Sequence, residues 1–192
     1  MVLPPLALRT SFWIWLIAAL AAGQFLWLQR LPMPAIQGIL AGLTVLLVLA
    51  YRGWETLRTW VDALDLRVIV LVHVTRFIGF YFITLYDRGE LPYAFAVPGG
   101  IGDIIVAALA LIAASAPMNA ERRRHALSIW NVVGFIDLLL VVVTAARLGW
   151  TDPAQMRALT HLPLSLLPTF LVPLLFASHL ALFARLAPAK QA

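Results

Sequence analysis

Charged residues come in widely spaced groups along this chain, and the stretches between them are almost wholly apolar. Arg9 and Arg30 enclose "TSFWIWLIAALAAGQFLWLQ", and Arg30 and Arg52 enclose a second run around "AIQGILAGLTVLLVLAY". A helix that crosses the hydrocarbon core of a bilayer needs roughly 20 mostly apolar residues. Six stretches meet that length, at about 10–29, 34–51, 67–86, 94–116, 125–146 and 160–184. The pattern predicts an all-α, polytopic integral membrane protein, a bundle of six transmembrane helices joined by short loops. All 192 residues then form one transmembrane domain. "ALAAG" offers small residues of the kind found at signal-peptide cleavage sites. The apolar run continues past it through "QFLWLQ", so a retained span is expected.

The loops set the expected orientation. One side carries Arg9, Arg52, Arg58, Arg67, Arg122–Arg124, Arg185 and Lys190, and the other only Arg30, Arg88, Arg147 and Arg157. Lys and Arg are retained on the cytoplasmic side, so both termini are expected there. Trp54, Leu57, Val61 and Leu64 recur at spacings of three and four. That stripe predicts an interfacial amphipathic helix at about 54–64. Asp152 before Pro153 reads as an N-cap followed by a first-turn proline.

Composition agrees. The chain is 62% hydrophobic and 12% charged, where soluble domains are about half apolar and about a quarter charged. A pI of about 10.4 would suggest nucleic acid in a soluble protein. Here the bases flank apolar runs, so the lipid bilayer is the expected partner and nucleic acid is not. No cysteine is present, which excludes disulfides, thiolate metal sites and catalytic thiols. The one lysine, Lys190, sits in the C-terminal tail, so a buried Schiff base is excluded as well. GxSxG, HExxH and P-loop signatures are absent, and a non-enzymatic role is favoured.

The informative residues are those that interrupt the apolar runs. Arg or Asp at the bilayer centre costs about 2.5–3.5 kcal/mol on insertion scales, yet Arg76, Asp103 and Asp137 fall inside three different spans. From the helical rise, they lie about 13, 20 and 18 Å below the cytoplasmic boundary. Arg76 is therefore expected to pair with Asp103, Asp137 or both, its planar fork being able to engage two carboxylates. The net charge of that set is −1, which invites a proton on one Asp or a cationic His nearby. Asn131, Gly134 and Asp137 form a small, polar stripe on the fifth span, so Asn131 is placed in the same buried site. Such stripes suit close helix packing as well as a cavity wall.

His73 and His179 share an expected depth of about 9 Å on the third and sixth spans. They are candidate ligands for haem or for zinc. In "AFAVPGGIGD", Pro98 is placed to begin a helix, with Gly99, Gly100 and Gly102 exposing amides in its first turn. Pro163, Pro168 and Pro173 punctuate the sixth span, and Pro168 and Pro173 are candidate hinge positions. The stretch from "HVTRFIGF" through "GELPYAFAVPGGIGD" resembles a motif region of a bacterial inner-membrane family. The bacterial inner membrane, a plasma membrane, is the expected location.

Four functions fit these residues. The first is binding or translocation of a small solute, with proton linkage, at the Arg/Asp site. The others are a b-type haem protein using both histidines, an intramembrane metal-dependent hydrolase, and a non-catalytic scaffold or assembly subunit. A homo-oligomer is compatible with all four.

Overall fold

The computed structural model describes residues 3–187; Lys190 lies outside them. The described residues form helices and turns with no strand. Six helices are long and apolar enough to cross a membrane. They are span 1 (Leu6–Gln24), span 2 (Met33–Gly53), span 3 (Leu66–Asp87), span 4 (Tyr93–Ser115), span 5 (Ala120–Thr151) and span 6 (Leu167–Leu186). An amphipathic helix, Glu55–Ala63, joins spans 2 and 3, where the Trp54–Leu64 stripe placed it.

Arginines on the face rich in bases also terminate helices. The last carbonyls of a helix have no partner within it. Arg123 donates to the carbonyls of Ala113, Ala114, Ala116 and Met118 and so closes span 4. Arg124 reaches those of Leu186 and Ala187 after span 6. Arg185 reaches Val61 and Leu64 at the end of the amphipathic helix. Asn119 caps the start of span 5, its side chain accepting from the Arg122 amide at 2.9 Å.

Spans 4 and 6 depart from the sequence expectation. Span 4 begins at Tyr93 after Pro92 and runs straight through Pro98. Pro98 therefore does not start the helix, and the glycines behind it present no free first-turn amides. Span 6 begins at Leu167 rather than near 160, because the chain from His161 to Ser165 is spent in a bend and turns. Asp152 does cap a helix there, a 3-10 helix at Pro153–Thr160, with its carboxylate accepting from the Ala154 amide.

Span 3 is wound in three pieces: α-helix over Leu66–Leu71, 3-10 helix over Val72–Ile78 and α-helix over Gly79–Asp87. In a 3-10 helix, residues i and i+3 eclipse one another. The tighter winding therefore aligns His73, Arg76 and Gly79 in a single column. Val70, Phe82 and Leu85 continue it at the same interval, and all six are buried.

The core is layered accordingly. Near the base-rich face, Val70, Val106, Ala110, Leu127, Trp130 and Leu182 pack together. Toward the opposite face, Phe82, Leu85, Phe95, Met156 and Leu164 form a second cluster. The polar residues of spans 3 to 6 lie between them.

Candidate functional site

Arg76 is the hub of this belt. Its Nε donates to Asp103 Oδ1 at 2.5 Å, its Nη1 to the Gly134 carbonyl at 2.9 Å and its Nη2 to Asp137 Oδ2. One guanidinium thus joins spans 3, 4 and 5. The pairing expected from depth is shown by the structure, with both acids engaged. The acids differ in surroundings: the Asp103 side chain is 6% exposed and that of Asp137 is 21% exposed, against 1% for Arg76. Each carboxylate uses one oxygen for the arginine. The remaining oxygens, Asp103 Oδ2 and Asp137 Oδ1, have no hydrogen-bond donor among the described residues.

Glycines make room for the cluster. A Cβ on Gly100 would stand 2.7 Å from the Gly79 carbonyl oxygen, so spans 3 and 4 touch backbone to backbone at the level of Arg76. A Cβ on Gly102 would overlap the Asp137 carboxylate, and one on Gly134 would stand 3.0 Å from His179. Gly99, Gly100 and Gly102 therefore act through close approach, the role small residues play between membrane helices. Pro98 itself is exposed.

His73 and His179 are both fully buried and meet, with ring centroids 4.3 Å apart and Trp130 beside both. The hydrogen-bond network assigns their tautomers. Ser178 Oγ donates to the Leu175 carbonyl, so it accepts from His73 Nε2 at 2.9 Å. Asn131 donates through Nδ2 to the His179 carbonyl and turns Oδ1 toward His179 Nδ1 at 2.7 Å. The free lone pairs are then His73 Nδ1 and His179 Nε2, both buried and without a partner. Asn131 consequently belongs to the histidine pair and bonds to neither Arg76 nor its acids.

This geometry does not suit a haem between the rings. A metal–imidazole bond is about 2 Å long, so rings on opposite faces of an iron stand much farther apart than this adjacent, tilted pair. Among the described residues no group of three or more His, Asp or Glu is placed to hold a metal ion, so the donor set does not fit zinc either.

A cavity of about 90 Å³ lies beside the ionic cluster. Arg76 and Asp103 form part of its wall, with Ile36 and Leu40 of span 2, Leu138 and Val142 of span 5, and Leu171 of span 6. Met156 and Thr160 of the Pro153–Thr160 helix also line it. Span 6 bounds the cavity with a π-helical turn at Leu167–Leu171 that contains Pro168; Pro173 follows in the α-helical part. Two contributions escaped the sequence reading. Gly134 was read in the small, polar stripe, but its carbonyl's acceptance of a hydrogen bond from Arg76 leaves no trace in residue type. Span 2 carries no charge between Met33 and Tyr51 to advertise its place in the wall.

The chain belongs to the family described as a domain of unknown function, DUF8737, whose model matches residues 33–187. No curated protein and no solved structure matches it.

Proposed function

We propose that this member of the family is a multi-pass protein of the bacterial inner membrane that binds a small solute in the central cavity and carries it across with proton linkage. The base-rich face, with both termini, lies in the cytoplasm, following the retention of Lys and Arg on that side. One observation carries the reading: a cavity within the bundle opens onto an arginine and an acid that bilayer energetics would otherwise exclude. Intramembrane ionisable residues that face a cavity mark substrate or proton pathways. The cluster's surplus negative charge supplies a proton site on Asp103 or Asp137. Arg76 holds the two acids in register.

The test is a reconstituted vesicle with an internal pH indicator, challenged with gradients of small amines, carboxylates, sugars and amino acids. At least one gradient should drive a pH change that Asp103→Asn with Asp137→Asn removes. No response to any class, or a response unchanged in the double variant, would overturn the reading.

A scaffold role is the second reading, favoured by the direct backbone contact of Gly79 with Gly100, because the ionic cluster would then only fix helix register. Exchanging the signs, Arg76→Asp with Asp103→Arg, separates the two. A scaffold keeps its partner assembly, whereas a solute site loses transport.

A further inference from the structure

The charge and hydrogen-bond inventory of the cluster restricts what the cavity can hold. Arg76 spends three donors on Asp103, the Gly134 carbonyl and Asp137. Two carboxylates thus face one guanidinium, and Asp103 keeps an oxygen with no donor. An anionic solute would find the guanidinium engaged, and the cluster would have to take up a further proton to offset the added charge. An uncharged hydrocarbon would strip water from the Asp103 carboxylate without replacing its hydrogen bond, which costs free energy. A bare inorganic cation needs several oxygen ligands. Beyond the acid, the side-chain oxygens of this wall are those of Gln37, which accepts from Trp150, and of Thr75 and Thr160, fewer than the about six ligands such an ion takes.

What remains is a cation with hydrogen-bond donors at one end and a hydrocarbon body at the other. Resting on the solute-site reading above, we infer that the cavity takes a small alkylammonium ion, its N–H groups on Asp103 and its chain against Leu138, Val142 and Leu171. The volume of about 90 Å³ is below the roughly 150 Å³ of a cavity that accommodates benzene, so a body of a few carbons fits. Charge conservation then supplies the proton linkage. When empty, the cluster offsets its surplus charge with a proton on one carboxylate. An entering ammonium bonds to that carboxylate, the carboxyl O–H breaks, and one proton leaves for each cation bound. The other charged groups at the cluster are Arg76 from span 3 and Asp137 from span 5. His73 and His179 stand nearby from spans 3 and 6, each with one N–H fixed by Ser178 or Asn131.

Three probes of similar size and different charge test this: n-butylammonium, n-butanol and butyrate. Each is titrated into the purified full-length protein in micelles, with heat and proton release recorded together. Butylammonium should bind, release about one proton, and tighten by about tenfold for each pH unit gained while the carboxyl is protonated. Butanol, butyrate and sodium should give no saturable signal. Asp103→Asn should abolish the binding. Because that variant can also misfold, Val142→Phe, which fills the cavity and spares the cluster, should abolish it too. Butyrate or butanol binding more tightly than butylammonium and yielding to Val142→Phe would overturn the cation while the solute site stands. Butylammonium binding that survives Asp103→Asn would likewise sink the cation inference. Silence from all three probes overturns the alkylammonium inference, and the vesicle test above then decides the solute-site reading.

Discussion

Span 2 and span 6 both line the central cavity, yet they are held in the molecule very differently. Over its most apolar stretch span 2 has 6% of its residues buried, against 56% for span 6. In water such a difference would follow hydrophobicity, but both helices are strongly apolar. Inside a bilayer, apolar side chains gain little by leaving lipid for protein, so close packing follows small residues and hydrogen bonds instead. Spans 3 to 6 possess both, in the Gly79–Gly100 contact, the Arg76 hub and the His179–Asn131 pair. Among the described residues, span 2 is tied only near its ends, where Gln37 donates to the Ala146 carbonyl and accepts from Trp150 Nε1 at 2.7 Å, and Tyr51 donates to Asp62. The polar belt therefore does double service: it makes the candidate site, and it holds four helices together.

The strongest way to break that comparison is to remove its hub. Arg76→Leu leaves two carboxylates in the membrane without a counter-charge. Loss of one partner of a buried ion pair costs about 3–5 kcal/mol. Unfolding in mixed micelles should register it, and Arg76→Lys should recover only part, because an ammonium lacks the planar fork. Leu46→Ala, on the exposed side of span 2, should change stability by no more than about 0.5 kcal/mol. Equal losses for the two would mean that the belt does not hold the bundle.

The two acids sharpen the picture. Replacing either brings the cluster's formal charge to zero, so the difference between the variants reports surroundings rather than charge. Asp103→Asn should cost about 1.5–3 kcal/mol, the range for a hydrogen bond to a charged group. Asp137→Asn should cost less, since Asp137 is the more exposed partner. A larger loss for Asp137→Asn would reverse their assigned roles.

Glycines give a contrast of sign. Gly79→Ala pushes a methyl group into the Gly100 backbone and should destabilise by about 1–3 kcal/mol. Gly38→Ala, in span 2 with nothing near its added carbon, should stabilise by up to about 1 kcal/mol through helix propensity. The same measurement in micelles decides both.

Much of this was legible before the structure, and the reason is the bilayer itself. Hydrocarbon thickness sets the spacing of Arg9, Arg30 and Arg52, so the spans could be counted, and depth arithmetic brought Arg76 to Asp103 and Asp137. The winding of span 3 was harder to see. The interval of three through Val70, His73, Arg76, Gly79, Phe82 and Leu85 is present in the sequence. However, the intervening residues are mostly apolar as well, so no polar face marks the period. Asn131 was assigned to the ionic cluster because Asp137 follows at helical spacing. Its partner, His179, comes from a different helix, and one helix's periodicity carries no information about that choice. Pro98 reads as a helix start by residue type, but in a membrane helix a proline within the helix is well tolerated, and Pro92 had already started the turn.

The finest test concerns how span 1 is attached. Pro173 has no N–H, so the Thr169 carbonyl, four residues earlier, lacks its α-helical donor. Trp15 Nε1 donates to that carbonyl at 2.8 Å, and its ring packs on Phe170 with centroids 4.6 Å apart. Trp15→Phe keeps an aromatic ring and removes the donor, which should cost about 1 kcal/mol. Pro173→Ala restores the backbone donor within span 6, so in that background Trp15→Phe should cost distinctly less. A double-mutant cycle in micelles measures the difference directly. No coupling between the two positions would mean that span 1 is held by ring contact alone, leaving the Thr169 carbonyl no part in joining the peripheral helix to the core.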